Sequence, residues 1–491
     1  MTERLSGNFS KKGAASVSEW NFEVASQEMK GELLLPDPQK NWSGASIDTR
    51  TLKTGNVFFA LSGSYQDGHD FLWDAFRKGA SGAVIRREFF KQFREKLFRE
   101  RALFHNLILV SDPEEALAAL AGRYRSNFSA VGVGITGSVG KTGTKEFLYF
   151  LLSQKYPVLR SSGNRNNHLG LPLTLFELQP EHQYCIAELG ASRQGEIRRL
   201  SHLLKPEVGV ITCVTAAHLE GFGSVSRIYD AKLELADALA KNKGTLVLPD
   251  HDAELIKGAK KRKVPILFFG RKRSSDFRLS DVHCREGWVE FELNARWTFR
   301  FPGFASFQAE NAVAALSACF ACGVSPGEFP SLWKDVSFAE KRFEVSLPRD
   351  GVVFINDCYN ANPYSFERAL EAFDALEKGG RKILVLGDML ELGSESAAYH
   401  RALGQQIQEK NFQAFFSIGH WMREATLICE KEGNPPLTLH FEDKGMLSHF
   451  LGHFLRPGDQ VLFKASRGIK LEEVVSVLSF PLSLKRAAPA L

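Results

Sequence analysis

Apolar residues in this chain fall in short β-branched runs separated by stretches with helical spacing. In the first 110 or so residues, VFFAL (Val57 to Leu61), GAVI (Gly82 to Ile85) and LILV (Leu107 to Val110) read as short buried strands. The helical FLWDAFRKGA lies between the first two. SDPEEALAALAGRYRSNF, from Ser111, has an Asp-Pro helix start and an apolar face at helical spacing, and it leads into a second unit. From Val131 to about Asp335 strands and helices alternate as VGVGIT, EFLYFLLSQK, CIAELG, GEIRRLSHLL, VGVITCV, RIYDAKLELADALA and GTLVLP. That alternation predicts a doubly wound parallel sheet. A third unit opens near Ala339, with VVFIND, KILVLGDM, AFFSIG and QVLFKAS each trailed by a helical pattern. It is dinucleotide-fold-like in layout but has no GxGxxG. The expected fold class is α/β in three domains: a small N-terminal α/β domain (1–112), a central doubly wound P-loop ATPase-like domain (113–338) and a C-terminal Rossmann-like domain (339–491).

The densest chemistry lies at VGVGITGSVGKTGTK, Val131 to Lys145. An apolar run passes into a glycine-punctuated loop, and Lys141 and Thr142 open a helix. Such a junction aims several backbone N–H groups, and the positive end of the helix dipole, at one spot. The Lys141 ammonium can reach the β- and γ-phosphates of a nucleotide, and the Thr142 hydroxyl can ligate its Mg²⁺. ATP is therefore the expected cofactor, cradled by Gly137, Ser138, Gly140, Lys141 and Thr142. The glycines fall at Gly134, Gly137 and Gly140; the standard P-loop wants one where this chain has Ile135. Glu188 closes CIAELG at the carboxyl edge of the predicted sheet, where such sheets bind ligands. His218, in TAAHLEGFGS, follows another strand and precedes a Gly-rich loop. Lys232, on RIYDAKLEL, reads from sequence physics alone as a solvated helix residue.

Composition narrows the picture. A net charge of +5 over 491 residues fits anionic substrates and gives no argument for nucleic acid. No basic run with interleaved aromatics is read from the chain; KKRK at Lys260 to Lys263 reads as a solvated helix end. Seven cysteines without framework spacing point to a reducing compartment, and Cys319 and Cys322, a lone CxxC in a helical segment, read as buried small residues. No apolar stretch approaches a membrane span, and MTERLSGNFSKKG lacks the apolar core of a signal peptide. A cytoplasmic protein without membrane insertion is expected.

Six motifs carry a resemblance. TGSVGKT (Thr136 to Thr142), GNRNNHLGLP (Gly163 to Pro172), AELGASRQGEI (Ala187 to Ile197), AAHLEGFGS (Ala216 to Ser224), NDCYNANP (Asn356 to Pro363) and LGDMLELG (Leu386 to Gly393) together resemble the Mur ligases of peptidoglycan synthesis. The resemblance runs from Ser46 to Val475, in the family's order. The Asp-Asn-Pro-Arg signature of the diaminopimelate- or lysine-adding members is absent, while YNANP and GDMLELG favour the last amino-acid-adding step.

The resemblance implies an ATP-dependent amide ligase acting on UDP-N-acetylmuramoyl-tripeptide and D-alanyl-D-alanine through an acyl phosphate, as a monomer. Domain one would bind the UDP-sugar, domain two ATP, and domain three would complete the ligase site. Lys141, His218 and Lys232 would be catalytic. Thr142 and Glu188 would hold one Mg²⁺, and His218 with a carbamylated Lys232 a second. Asn311 resembles the residue that meets adenine, and Arg342 and Asp357 those that meet phosphate and ribose. Asn164, Asn166 and Asn167 match a substrate- and nucleotide-facing loop. Tyr359, Asn360 and Asn362 are candidates for the D-alanyl-D-alanine end, although YNANP is also a good turn. Ser46, Asp48 and Arg50 match the UDP-sugar end, and equally read as a locally capped turn. The chain departs from the family at Phe307 and Gln308 (usually His-Asn), Lys341 (Gly), Asn356 (Asp) and Gly143 (mostly Thr).

Overall fold

A computed structural model describes residues 21–349, 351–376, 379–431 and 436–479. Three sheets organise them. The first has five strands in the order Glu32–Leu34, Leu107–Val110, Gly82–Arg86, Val57–Phe59 and Ala45–Ser46, and only the Glu32–Leu34 pairing is antiparallel. The third has six, ordered Glu344–Arg349, Val352–Asp357, Gln460–Lys464, Lys382–Gly387, Ala414–Ile418 and Leu437–Phe441; its first strand alone runs antiparallel.

The central sheet has nine strands. Val131–Thr136 lies between Tyr184–Glu188 and Val208–Ile211, and all are parallel. After Val131–Thr136 the chain leaves toward the Val158–Arg160 edge; after Val208–Ile211 it leaves toward Thr245–Pro249 on the other side. Two neighbouring strands whose connections diverge open a crevice at their carboxyl ends. The Gly137–Gly140 loop and the segment from Thr212 to His218 both issue there.

The sequence reading passes over an antiparallel meander, Phe277–Arg285, Trp288–Leu293 and Trp297–Pro302, which extends the central sheet. Its inner face supplies Phe291, Phe299 and Phe301, and these close around the fully buried Trp333 with ring centroids 4.9–6.1 Å away. Phe147, on the Lys141–Ser153 helix, joins the cluster 4.8 Å from Phe301. The abundant phenylalanines thus anchor the helix that begins at the phosphate loop, with aromatic pairs adding to burial. Glu344–Arg349 and Leu437–Phe441 are likewise strands that the reading omits. So too is a basic segment with interleaved aromatics, RREFFKQFREKLFRER at residues 86–101, most of it the Arg87–Arg99 helix.

Cys319 and Cys322 are buried, as small packing residues are. Among the described residues no helix is long and apolar enough to cross a membrane.

Candidate active site

Gly140, with a left-handed φ of 88°, caps the Lys141–Ser153 helix and turns the loop into it. At Gly137 a Cβ would stand 2.0 Å from the Thr212 hydroxyl, so only glycine lets the loop lie against the neighbouring strand end. Side chains tie the two together. Ser138 Oγ donates to the Thr215 carbonyl and accepts from its N–H, both at 3.0 Å, and Thr212 Oγ1 donates to the Val139 carbonyl at 2.5 Å.

The loop meets a buried acid. Thr142 Oγ1 donates to Glu188 Oε2 at 2.8 Å, and Asn166 Nδ2 donates to Glu188 Oε1 at 3.0 Å. Burial alone would raise the Glu188 pKa; the Lys141 and Arg342 cations and the Asn166 amide outweigh it and hold the carboxyl below its ordinary range. Lys141 Nζ donates to the Gly137 carbonyl at 2.7 Å, and burial lowers its pKa against the pull of Glu188. Lys232 is 2% exposed, not a solvated helix residue. Burial, with Lys141 nearby, pushes its ammonium down to about 7. Its Nζ has no hydrogen-bond partner among the described residues and lies over the Phe222 ring at 5.7 Å.

Two cavities meet at this loop. One of about 520 Å³ is lined by the Gly137–Thr142 loop, Asn166, Asn167, Glu188, His218 and Lys232, and by Tyr359, Asn360, Asn362, Glu391 and Arg467 from the third sheet's side. The other, about 570 Å³, has apolar walls at Val139, Phe269, Leu279 and Phe307, with Asn311, Asp357 and Arg368 among its polar groups. Arg342 lines both, and its buried Nε has no hydrogen-bond partner. Tyr359 lies under the Arg342 guanidinium at 4.0 Å.

Several candidates are engaged by the protein itself. Asp357 accepts from the Phe343 N–H at 3.1 Å and from the buried Lys464 at 2.6 Å, while still lining the larger cavity. Asn362 caps the Pro363–Ala375 helix, and Asn167 accepts from the N–H groups of Leu169 and Gly170. Gln308 Oε1 accepts from the Phe304 and Ala305 N–H groups, so that oxygen serves its own helix start. Phe307 packs edge-on against Phe343 at 5.7 Å. Lys341 occupies the left-handed region at φ 59° and donates to Glu472 at 3.0 Å. Asn164 lines a third cavity, with Arg160 and Lys341, rather than the loop's own. Ser46, Asp48 and Arg50 line none of these cavities. They form a closed turn in which Arg50 donates to Asp48 at 2.7 Å, with the Arg50 side chain 86% exposed.

Glu391 escapes the sequence reading, although LGDMLELG contains it. It hydrogen-bonds His218 Nδ1, and its backbone carbonyl takes the Glu220 N–H at 3.1 Å. Lys145 is also missed. It is buried and donates to the Ser161 carbonyl at 2.9 Å, behind Glu188. Neither pairing leaves a local signal, since each joins residues distant along the chain.

Residues 135–319 match the Mur ligase middle domain, and residues 341–467 the Mur ligase glutamate ligase domain. The UDP-N-acetylmuramoyl-tripeptide–D-alanyl-D-alanine ligase of Bacillus subtilis (strain 168) is 33% identical over 461 residues, 93% of this chain and 97% of that one. The chain belongs to the Mur ligase family. The Mur ligase of the same name from Escherichia coli (strain K12) is 32% identical over 88% of this chain and 93% of its own. Among solved Mur ligases, MurF from Acinetobacter baumannii superposes with a TM-score of 0.81 at 28% identity, covering 94% of this chain and 98% of that one. MurF from Thermotoga maritima, solved in complex with ADP, does so with a TM-score of 0.76 at 30% identity, covering 91% and 99%.

Proposed function

We propose that this Mur ligase joins D-alanyl-D-alanine to UDP-N-acetylmuramoyl-tripeptide at the expense of ATP, in cytoplasmic peptidoglycan precursor synthesis. The named relatives support the reaction. The observation that carries it to this site is the Thr142–Glu188 hydrogen bond at the mouth of a glycine loop, with Lys141, Lys232 and Arg342 lining the same cavity. The base and ribose of ATP belong in the larger cavity, against Asn311 and Asp357, and the phosphates lie over Gly137, Ser138, Gly140, Lys141 and Thr142.

The tripeptide's terminal carboxylate attacks the γ-phosphorus. A P–O bond forms to the carboxylate and the bond to ADP breaks, giving an acyl phosphate. The free amine of the dipeptide then adds to the acyl carbon, loses its proton, and expels phosphate to leave the amide. Bringing a carboxylate to a triphosphate concentrates negative charge, so the protein's task is cationic and positional. Lys141 and Arg342 supply positive charge at the phosphates. Closure of the C-terminal unit excludes water from the acyl phosphate.

The donors fit Mg²⁺ at one position: the Thr142 hydroxyl and the Glu188 carboxylate are hard oxygen ligands. Among the described residues no group of three His, Cys, Asp or Glu side chains forms a metal cluster. A second Mg²⁺ would take the carbamate of Lys232 as an oxygen ligand beside His218 Nε2, since His218 Nδ1 is held by Glu391. Bound Mg²⁺ would neutralise phosphate charge. Asn166 orients Glu188, while Tyr359, Asn360 and Asn362 face the peptide substrates, and Asn164 borders the third cavity. At the UDP-sugar end Arg50 offers the charge, and Ser46 and Asp48 shape its turn. We take 1–112, 113–338 and 339–491 as the working domains of one chain, which by itself lines both cavities.

Phosphate release with ATP, Mg²⁺, UDP-muramoyl-tripeptide and D-alanyl-D-alanine, omitting one component at a time, tests the assignment. Release should need all four. Release without the dipeptide would remove the last-step reading and leave the ATP site.

A further inference from the structure

The Arg87–Arg99 helix lies away from both cavities, at the outer face of the first sheet. Residues 86–101 hold seven Lys or Arg against three Glu, a net +4 where the whole chain carries +5. Its Phe89, Phe93 and Leu97 stripe packs toward the first core. Arg87, Lys91, Arg94 and Phe98 recur at i, i+4, i+7 and i+11, which makes a second stripe on one side of the same helix. Phe98 is 44% exposed, lies beside the half-buried Phe90 (6.2 Å between centroids), and carries the Arg94 guanidinium over its ring at 5.7 Å. Arg87 pairs with Glu32 at 2.7 Å; Lys91, Arg94, Arg99 and Arg101 are exposed and have no ion pair among the described residues.

The unpaired cations Lys91, Arg94, Arg99 and Arg101 around an exposed phenylalanine call for an anionic partner that also accepts an aromatic ring. The chain's own tails do not qualify. Residues 1–20 carry three Lys or Arg against two acids, and residues 480–491 carry two cations and no acid. A second copy would set like charge against like. A nucleic acid duplex would satisfy the cations but offers Phe98, whose ring already carries Arg94 and neighbours Phe90, no unstacked base to meet. An anionic bilayer satisfies both requirements: its headgroups take the charge and its acyl boundary takes Phe98 and Phe90. We propose that this helix is a reversible docking surface for membranes rich in anionic phospholipid, holding the ligase at the bilayer face without inserting a segment across it.

The test is sedimentation of the full-length protein with phosphatidylcholine vesicles, with and without an equal part of phosphatidylglycerol. Binding should require phosphatidylglycerol and decline with added salt. K91E/R94E should weaken it by about 25-fold or more, at roughly fivefold for each cation lost. Phe98→Ser should weaken it severalfold while leaving the salt dependence intact. Unchanged turnover and melting temperature in each variant would exclude misfolding as the cause. Binding that ignores lipid charge, or survives K91E/R94E, overturns the proposal. Tighter binding to a DNA duplex than to anionic vesicles, indifferent to Phe98, overturns it in favour of a nucleic-acid surface.

Discussion

Carbon dioxide adds only to an unprotonated amine, so the state of Lys232 can be worked out before any metal is considered. An ordinary lysine, at 10.5, is free amine to roughly three parts in ten thousand at pH 7. Lys232, lowered to about 7 chiefly by burial, is roughly half free amine there, an advantage of about a thousandfold, or about 4 kcal/mol. Addition forms an N–C bond and releases a proton, turning a cation into a carboxylate-like oxygen donor. Activity should therefore fall when CO₂ is stripped from buffer at pH 7, return with bicarbonate, and rise with pH through about 7. Lys232→Ala should lose activity that bicarbonate cannot restore. Labelled bicarbonate should give a carbamate ¹³C resonance in the native protein and none in Lys232→Ala. Turnover indifferent to CO₂, together with no such resonance, would refute the reasoning and leave Lys232 a buried amine.

Lys141→Ala removes a cation aimed at the phosphates and should cut phosphate release by roughly 10²–10³ with the circular dichroism unchanged; an unaltered rate would sink the cradle assignment. In Gly143→Ala the new Cβ stands 2.6 Å from Asn311 Nδ2, so Asn311 must swing away from the nucleotide cavity. The KM for ATP should rise about tenfold while stability holds, since the helix gains about 1 kcal/mol of propensity against the crowding; an unchanged KM would detach Asn311 from the nucleotide. Buried His400 accepts the Met389 N–H at 3.0 Å and contacts the Ser396 carbonyl at 2.6 Å, and burial lowers its pKa from 6.5. The unfolded chain takes up a proton that the folded chain resists, so stability should drop as pH falls below about 6.5. His400→Gln should flatten that dependence in urea titrations; an identical slope would acquit His400.

The parallel strands are legible because each is a short apolar run flanked by helical spacing, and the phosphate loop because its glycines, lysine and threonine are contiguous. The meander was legible in principle. FRLSDVHCR, WVEFEL and WTFRFP alternate in burial, and the turns between them hold left-handed residues at Glu286 and Gly287 and at Asn294 and Ala295. The expectation of continued βα alternation hid them. The burial of Lys232 was not legible, because it depends on what packs over its helix rather than on the helix itself. Nor was the His218–Glu391 contact, whose partners stand 173 residues apart. Gln308, a departure from the family pattern, turns its oxygen onto its own helix start, which an alanine at the cap position does not advertise.

Glu310 on the Ser306–Ala321 helix receives Arg368 at 2.8 Å from the Pro363–Ala375 helix, and Glu391 receives His218 across the same divide. The Arg368–Glu310 ion pair borders the cavity assigned to the base, and the His218–Glu391 hydrogen bond the cavity assigned to the reaction. On the proposed reading a spent nucleotide lies between them, and opening these contacts should speed its departure. Dissolved salt then acts as a lubricant: by weakening the Arg368–Glu310 clasp it should shorten the wait for ADP to leave, until it also slows reclosing over fresh ATP. Turnover should peak at an intermediate ionic strength, and that optimum belongs to the opening of these contacts rather than to the chemistry.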